Sequence, residues 1–159
     1  MTFFRGLLAT RAPAAVILVR LMVGGVFLSE GIQKFLFANE QGVGRFTRIG
    51  IPNPEVMAPF VGGCEIVCGV LLLVGLLTRL AAITMAINIS VAIISTKVPI
   101  LLGKEFSGFA LPKPAHYGFW SMAHEVRTDF CMLLGSIFLL CVGAGRWSLD
   151  AKLTRINPG

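Results

Sequence analysis

Residues 16–37, VILVRLMVGGVFLSEGIQKFLF, form an apolar run long enough to cross a bilayer, yet Arg20, Glu30, Gln33 and Lys34 lie inside it. A bilayer core of about 30 Å takes roughly 20 helical residues, so these groups cannot all reach water. Wound at about 100° per residue, Arg20, Gly24, Phe27, Gly31 and Lys34 fall in one stripe, with Glu30 at its edge. Val, Ile, Leu and Met cover the opposite side. Such a helix has to turn its ionic face toward protein and its apolar face toward lipid. The remaining helices are expected to supply that interior.

The rest of the chain has a matching composition. Hydrophobic residues make up 55% of the 159, charged residues only 14%, and the mean hydropathy is +0.81. Whole segments lack the polar face that a soluble bundle needs, which predicts an integral membrane protein. The net charge of +6 then belongs with lipid headgroups and orientation, and no nucleic-acid partner is expected. Apolar stretches at about 14–37, 56–77, 80–102 and 121–143 read as spans. The expected fold class is therefore all-α: an integral membrane, antiparallel four-helix transmembrane bundle, with residues 1–159 as a single domain. The first span is too long and too charged for a signal peptide, and no small-x-small cleavage site follows Phe37.

Between the spans, residues 38–53 read as a polar loop, and Thr78-Arg79 as a short turn that makes its two helices antiparallel neighbours. Pro99 and Gly103 mark a frayed end. Residues 103–119 read as an ordered loop on the membrane surface, residues 1–12 as a basic lead-in there, and SLDAKLTRI as one further amphipathic turn. Four spans put both termini on one side. That side carries Arg5, Arg11, Arg79, Arg146, Lys152 and Arg155, against Arg45, Arg48, Lys104 and Lys113 on the other, with Lys97 near its edge. The bias places both termini in the cytoplasm.

The later spans carry polar residues too. Glu65 shares a face with Gly62, Cys68, Gly69, Leu72 and Leu76, and Asn88 shares one with Thr84 and Ser95. Glu125, Asp129 and Ser136 share a face of the last span, with Arg127 nearly opposite. Because the helices alternate in direction, Glu30, Lys34, Glu65, Glu125 and Asp129 are expected in one leaflet, with Arg20 and Asn88 deeper. Either these groups pair to lock the helices in register, or they mark a site for a polar headgroup, a proton or a quinone. On either reading, Glu65 is expected to face the bundle axis within reach of Arg20 or Lys34. The four cysteines, Cys64, Cys68, Cys131 and Cys141, stand in no redox or metal spacing, and His116 and His124 read as interfacial.

Four stretches together resemble the DoxX family of small four-helix membrane proteins. They are R-L-M-V-G-G-V-F-L-S-E-G-I-Q-K from Arg20 to Lys34, G-I-P-N-P from Gly50 to Pro54, G-G-C-E-I-V-C-G-V-L-L-L-V-G-L-L-T-R from Gly62 to Arg79, and G-A-G-R-W-S-L-D from Gly143 to Asp150. The resemblance implies an inner-membrane protein that works with an oxidoreductase, with Arg20, Lys34 and Glu65 as matching polar positions. The family is named after a membrane subunit of quinone-linked sulfur-compound oxidation.

The leading expectation is a quinone-associated subunit or partner of a membrane oxidoreductase, in sulfur-compound or oxidative-stress chemistry. Glu65 and Asp129 are then the proton-bearing catalytic candidates. Arg20, Glu30, Lys34, Asn88 and Glu125 are the quinone-binding ones, and no metal, haem or flavin motif is present. The alternatives are a non-catalytic scaffold or lipid-binding bundle that recruits a partner, and a small oligomeric transporter.

Overall fold

Glycine and proline punctuate the chain, and α-helical segments repeatedly start or stop at them. The computed structural model describes residues 12–156. In chain order these form α1 (Val16–Leu36), α2 (Val43–Ile49), α3 (Pro54–Val74), α4 (Thr78–Leu102), α5 (Phe119–Val142) and α6 (Leu149–Ile156). Proline opens α3, where its missing N–H costs nothing, and left-handed Gly75 and Gly103 close α3 and α4. Among the described residues the only β-type pairing is an isolated bridge between Phe106 and Phe109.

Three helices, α1, α3 and α4, are long and apolar enough to cross a membrane. The fourth long helix, α5, has 24 residues, but its first half carries Glu125, Arg127 and Asp129 and dilutes its hydropathy. The surface agrees with a lipid surround. Leu18, Phe60, Val67, Ile87, Leu134 and Phe138 all project outward and exposed, an apolar belt that water would not tolerate.

Several sequence expectations need correction. The turn between α3 and α4 is residues 75–77, with Gly75 and Leu77 at positive φ, and Thr78 already belongs to α4. Pro99 lies inside α4, which runs on to Leu102. The supposed loop 38–53 contains α2, whose Phe46 is buried. The basic lead-in lies outside the described residues, as do Arg5 and Arg11 and the side chain of Arg155.

Helices α1 and α3 approach closely because glycines meet across them. A Cβ on Gly24 would stand 2.9 Å from the carbonyl oxygen of Gly69, and one on Gly31 would stand 2.7 Å from that of Gly62. The glycines lie seven residues apart on both helices, so the two contacts share one antiparallel register. The second close pair is α4 with α5. The two pairs join through a core that includes Val23, Phe27, Leu72, Met85, Met132 and Leu139.

One end of the bundle is closed by a lock of charge on backbone. Arg20, 2% exposed, donates from Nε to Leu72 O (2.8 Å) and from Nη2 to Leu73 O (2.6 Å). Its Nη1 reaches Ala144 O (3.1 Å) and Trp147 O (2.6 Å). These carbonyls include the last of α3, which have no partner within their own helix. Asp150 accepts the N–H groups of Leu77 and Thr78 at 2.8 and 3.0 Å, which caps the start of α4 from a distance. Its own N–H donates to Gly75 O at 2.9 Å. A Cβ on Gly75 would stand 2.6 Å from both Arg20 Cζ and Ser148 Cβ, so the turn fits only with glycine there.

The glycine interface makes a sharp prediction. A Cβ at Gly69 would meet the backbone at Leu28 N (2.8 Å) and Gly24 O (3.0 Å), whereas one at Gly63 meets nothing within 4 Å. Gly69→Val is expected to cost about 1–3 kcal/mol, read as a lowered unfolding midpoint in detergent. Gly63→Ala on the same helix should be neutral or slightly stabilising.

Candidate functional site

At the end of the bundle away from the Arg20 lock, α1 delivers a cation to a carboxylate on α3. Small residues make this possible: with Gly31 and Gly62 in contact, the Lys34 side chain lies along α3 and reaches Glu65. Lys34 Nζ stands 2.6 Å from Glu65 Oε2, with side chains 10% and 5% exposed. At 2.6 Å this is a close, charge-assisted contact, and a carboxylate oxygen so paired still has a second lone pair to offer. From α4, Asn88 Nδ2 donates to Glu65 Oε1 at 2.8 Å. A lone carboxylate this deep would be unstable as an anion; a cation and an amide donor stabilise it.

The triad forms part of the wall of a cavity of about 530 Å³. Glu30 and Asp129 join Lys34, Glu65 and Asn88 around it. The rest is mostly apolar, with Phe27 and Ile89 below and Phe46, Ile49 and Phe109 toward the bundle end. The segment bearing Phe109 is tied to α2 by the bond from Ala110 N to Ile49 O, 2.8 Å. A cavity of this size with a few convergent polar groups is ordinary for a small organic ligand.

The expected site residues divide into three places. Glu30, Lys34, Glu65, Asn88 and Asp129 share the first cavity, although Asp129 pairs with Lys97 at 3.5 Å and not with the triad. Arg20 stands apart from them. It lies fourteen residues before Lys34 on α1, about 21 Å along the axis, and makes four hydrogen bonds to carbonyls there. Of the two cations expected within reach of Glu65, Lys34 is the one that meets it, and Arg20 is corrected as a member of the ligand site. Glu125 is exposed and lines a second cavity of about 410 Å³, together with Arg45, Arg48 and Lys97. Ser95 and Ser136 are buried, while Thr84 is exposed and bonds its own helix at Leu80 O. Cys131 and Cys141 are also exposed on the outer surface.

Gln41, Arg45 and Phe46 also line the first cavity and were not foreseen, because residues 38–53 read as loop. Their signal was present: Val43, Phe46 and Ile49 recur at helical spacing. Among the described residues, no three His, Cys, Asp or Glu side chains gather as a metal site requires.

The two ends of the bundle should respond differently to mutation. Glu65→Gln keeps oxygen acceptors for Asn88 and for Lys34, which can shed its proton once the carboxylate is gone, so it should be the milder change. Arg20→Leu removes a donor from four carbonyls, of which Leu72 O keeps the Gly75 N–H, and should cost about 3–5 kcal/mol. Thermal unfolding of the two variants in one detergent checks the order; equal losses would contradict it.

Comparison with known proteins accords with this architecture. The DoxX family profile matches residues 15–98, which cover α1 to α3 and most of α4. Over 149 residues, 94% of this chain and 87% of the relative, the chain is 52% identical to an uncharacterized membrane protein of Mycobacterium tuberculosis (strain ATCC 25618 / H37Rv). Over 136 residues, 84% of this chain and 83% of the relative, it is 29% identical to a Bacillus subtilis (strain 168) protein with the provisional name oxidoreductase CatD. No solved structure is a significant match. With the family profile spanning more than half its length, and a relative similar over nearly all of it, the chain belongs to the DoxX family.

Proposed function

We propose that this protein binds a quinone in the first cavity and serves a membrane oxidoreductase as its quinone-handling subunit or partner. The observation that carries this reading is a Lys34–Glu65–Asn88 triad, its carboxylate buried, that opens onto a mostly apolar cavity of about 530 Å³. The residues suit such a ligand. Glu65 Oε2, paired with Lys34, keeps a second lone pair able to accept from a hydroxyl, and the Lys34 ammonium, with three N–H donors, can donate to a carbonyl as well. Asp129 and Glu30 add carboxylates on the same cavity.

A bound quinone would supply two-electron, two-proton chemistry, with electrons from sulfur-compound or oxidative-stress reactions on the partner. The chain's own residues do the rest. Lys34 and Asn88 orient the polar end, Phe27 and Ile89 exclude water, and Glu65 and Asp129 hold protons within the site. The name given to the Bacillus subtilis relative supports an oxidoreductase setting. The cavity should be occupied in the purified protein. Quinone extracted with the wild type is expected to fall roughly tenfold in Lys34→Met and Glu65→Gln, and to stay unchanged in Cys131→Ser. Equal quinone in all four proteins would overturn the reading. Co-extracted phospholipid in place of quinone would favour a lipid-binding scaffold.

We also propose that all four long helices cross the inner (plasma) membrane, with both termini cytoplasmic. Both ends of α5 are tied to the bundle: Gly118 N donates to Ile100 O at 3.0 Å, and Ala144 O accepts from Arg20. The charges in its first half include Asp129, which is turned to Lys97. A cytoplasm-dependent reporter after Gly159 should be active, and the same reporter at Gly108 inactive. Equal behaviour at the two positions would mean that α5 does not cross.

A further inference from the structure

The second cavity lies beside the first and has a different chemistry. Arg45, Ile49 and Thr96 line both. Its volume is about 410 Å³, and its charged lining is Arg45 and Arg48 from α2, Lys97 from α4 and Glu125 from α5. Three cations thus face one carboxylate. Ile49, Ile100, Leu111 and Pro112 give it an apolar side.

The cations are only partly committed. Arg45 Nη1 donates to Gln41 Oε1 at 2.6 Å, and Arg48 donates to Asn39 O and Glu40 O at 2.9 and 3.0 Å. Lys97 pairs loosely with Asp129 at 3.5 Å. Each guanidinium has five N–H groups, so both arginines keep donors in reserve. Like charges gathered around a concave wall repel one another, and a bound anion relieves that repulsion. We infer that this cavity binds a phosphate group, carried on an anionic lipid headgroup or as the free ion. Two arginines suit the oxygens of a phosphate, and the apolar side suits the glycerol and upper acyl carbons of a lipid. The inference uses no feature of quinone binding and stands or falls separately from it.

The test uses the full chain in a neutral detergent, with native mass spectrometry to read retained lipid. Phosphatidylglycerol and phosphatidylcholine of equal chain length are compared, with inorganic phosphate as competitor. Wild type should retain phosphatidylglycerol about tenfold or more above phosphatidylcholine, and the double variant Arg45→Gln, Arg48→Gln should lose that preference. Glu125→Gln removes the one carboxylate of the lining and should strengthen retention, a gain that misfolding cannot produce. If the site takes the free ion, inorganic phosphate will displace the lipid from wild type and raise its unfolding midpoint, with the same dependence on both variants. If it takes the headgroup alone, phosphate will do neither. Equal retention of the two lipids with no phosphate effect would overturn the inference. So would anion binding that neither variant alters.

Discussion

A guanidinium buried in an apolar bundle must have its N–H groups answered by oxygen, and at Arg20 the oxygens come from two other segments of chain. Leu72 and Leu73 lie at the end of α3, and Ala144 and Trp147 follow α5. This fixes the height of α1 against both. The height of α1 in turn sets the register in which Gly24 meets Gly69 and Gly31 meets Gly62. That register brings Lys34 alongside Glu65. A slip of one residue, about 1.5 Å and 100°, would break the arginine's bonds, drive a side chain into a glycine contact and separate the ion pair. The position of the cavity therefore depends on an arginine at the opposite end of the helix.

The two ends satisfy their charges by different means. At the Arg20 end the partners are backbone groups: carbonyls at the end of α3 and, for Asp150, the N–H groups that open α4. Nothing is left for a ligand. At the cavity end Glu65 is held by the side chains of Lys34 and Asn88, and donor capacity remains on the Lys34 ammonium and on the arginines of α2. Buried polar groups that are fully spent hold a fold together, and those with reserve can take part in binding.

The angular arrangement was legible in the sequence. The stripe Arg20, Gly24, Phe27 and Gly31 is buried as expected, and so are Gly62, Glu65, Cys68, Gly69 and Leu72 on α3. Periodicity specifies direction around an axis, and these faces were read from it. Height along the axis was harder. Arg20 and Lys34 share a face but not a level, so only one of them can serve Glu65. The rise per residue shows that they lie far apart, while the choice of partner depends on how deep α3 sits. Helix α2 was hidden by the glycines and polar residues around it. The Asp150 cap had no local signal, because its targets, Leu77 and Thr78, lie 73 and 72 residues earlier.

The distance of that cap has a consequence for biosynthesis. The α3–α4 hairpin is translated before Asp150, which caps its turn, and before Ala144 and Trp147, which answer Arg20; all three follow α5. Until they leave the ribosome, the guanidinium of Arg20 and the first amides of α4 lack these partners. The nascent hairpin must therefore be sheltered by the insertion machinery or by headgroup water. Arrival of the segment that follows α5 then closes this end of the bundle, drawing the ends of α1, α3, α4 and α5 together at once.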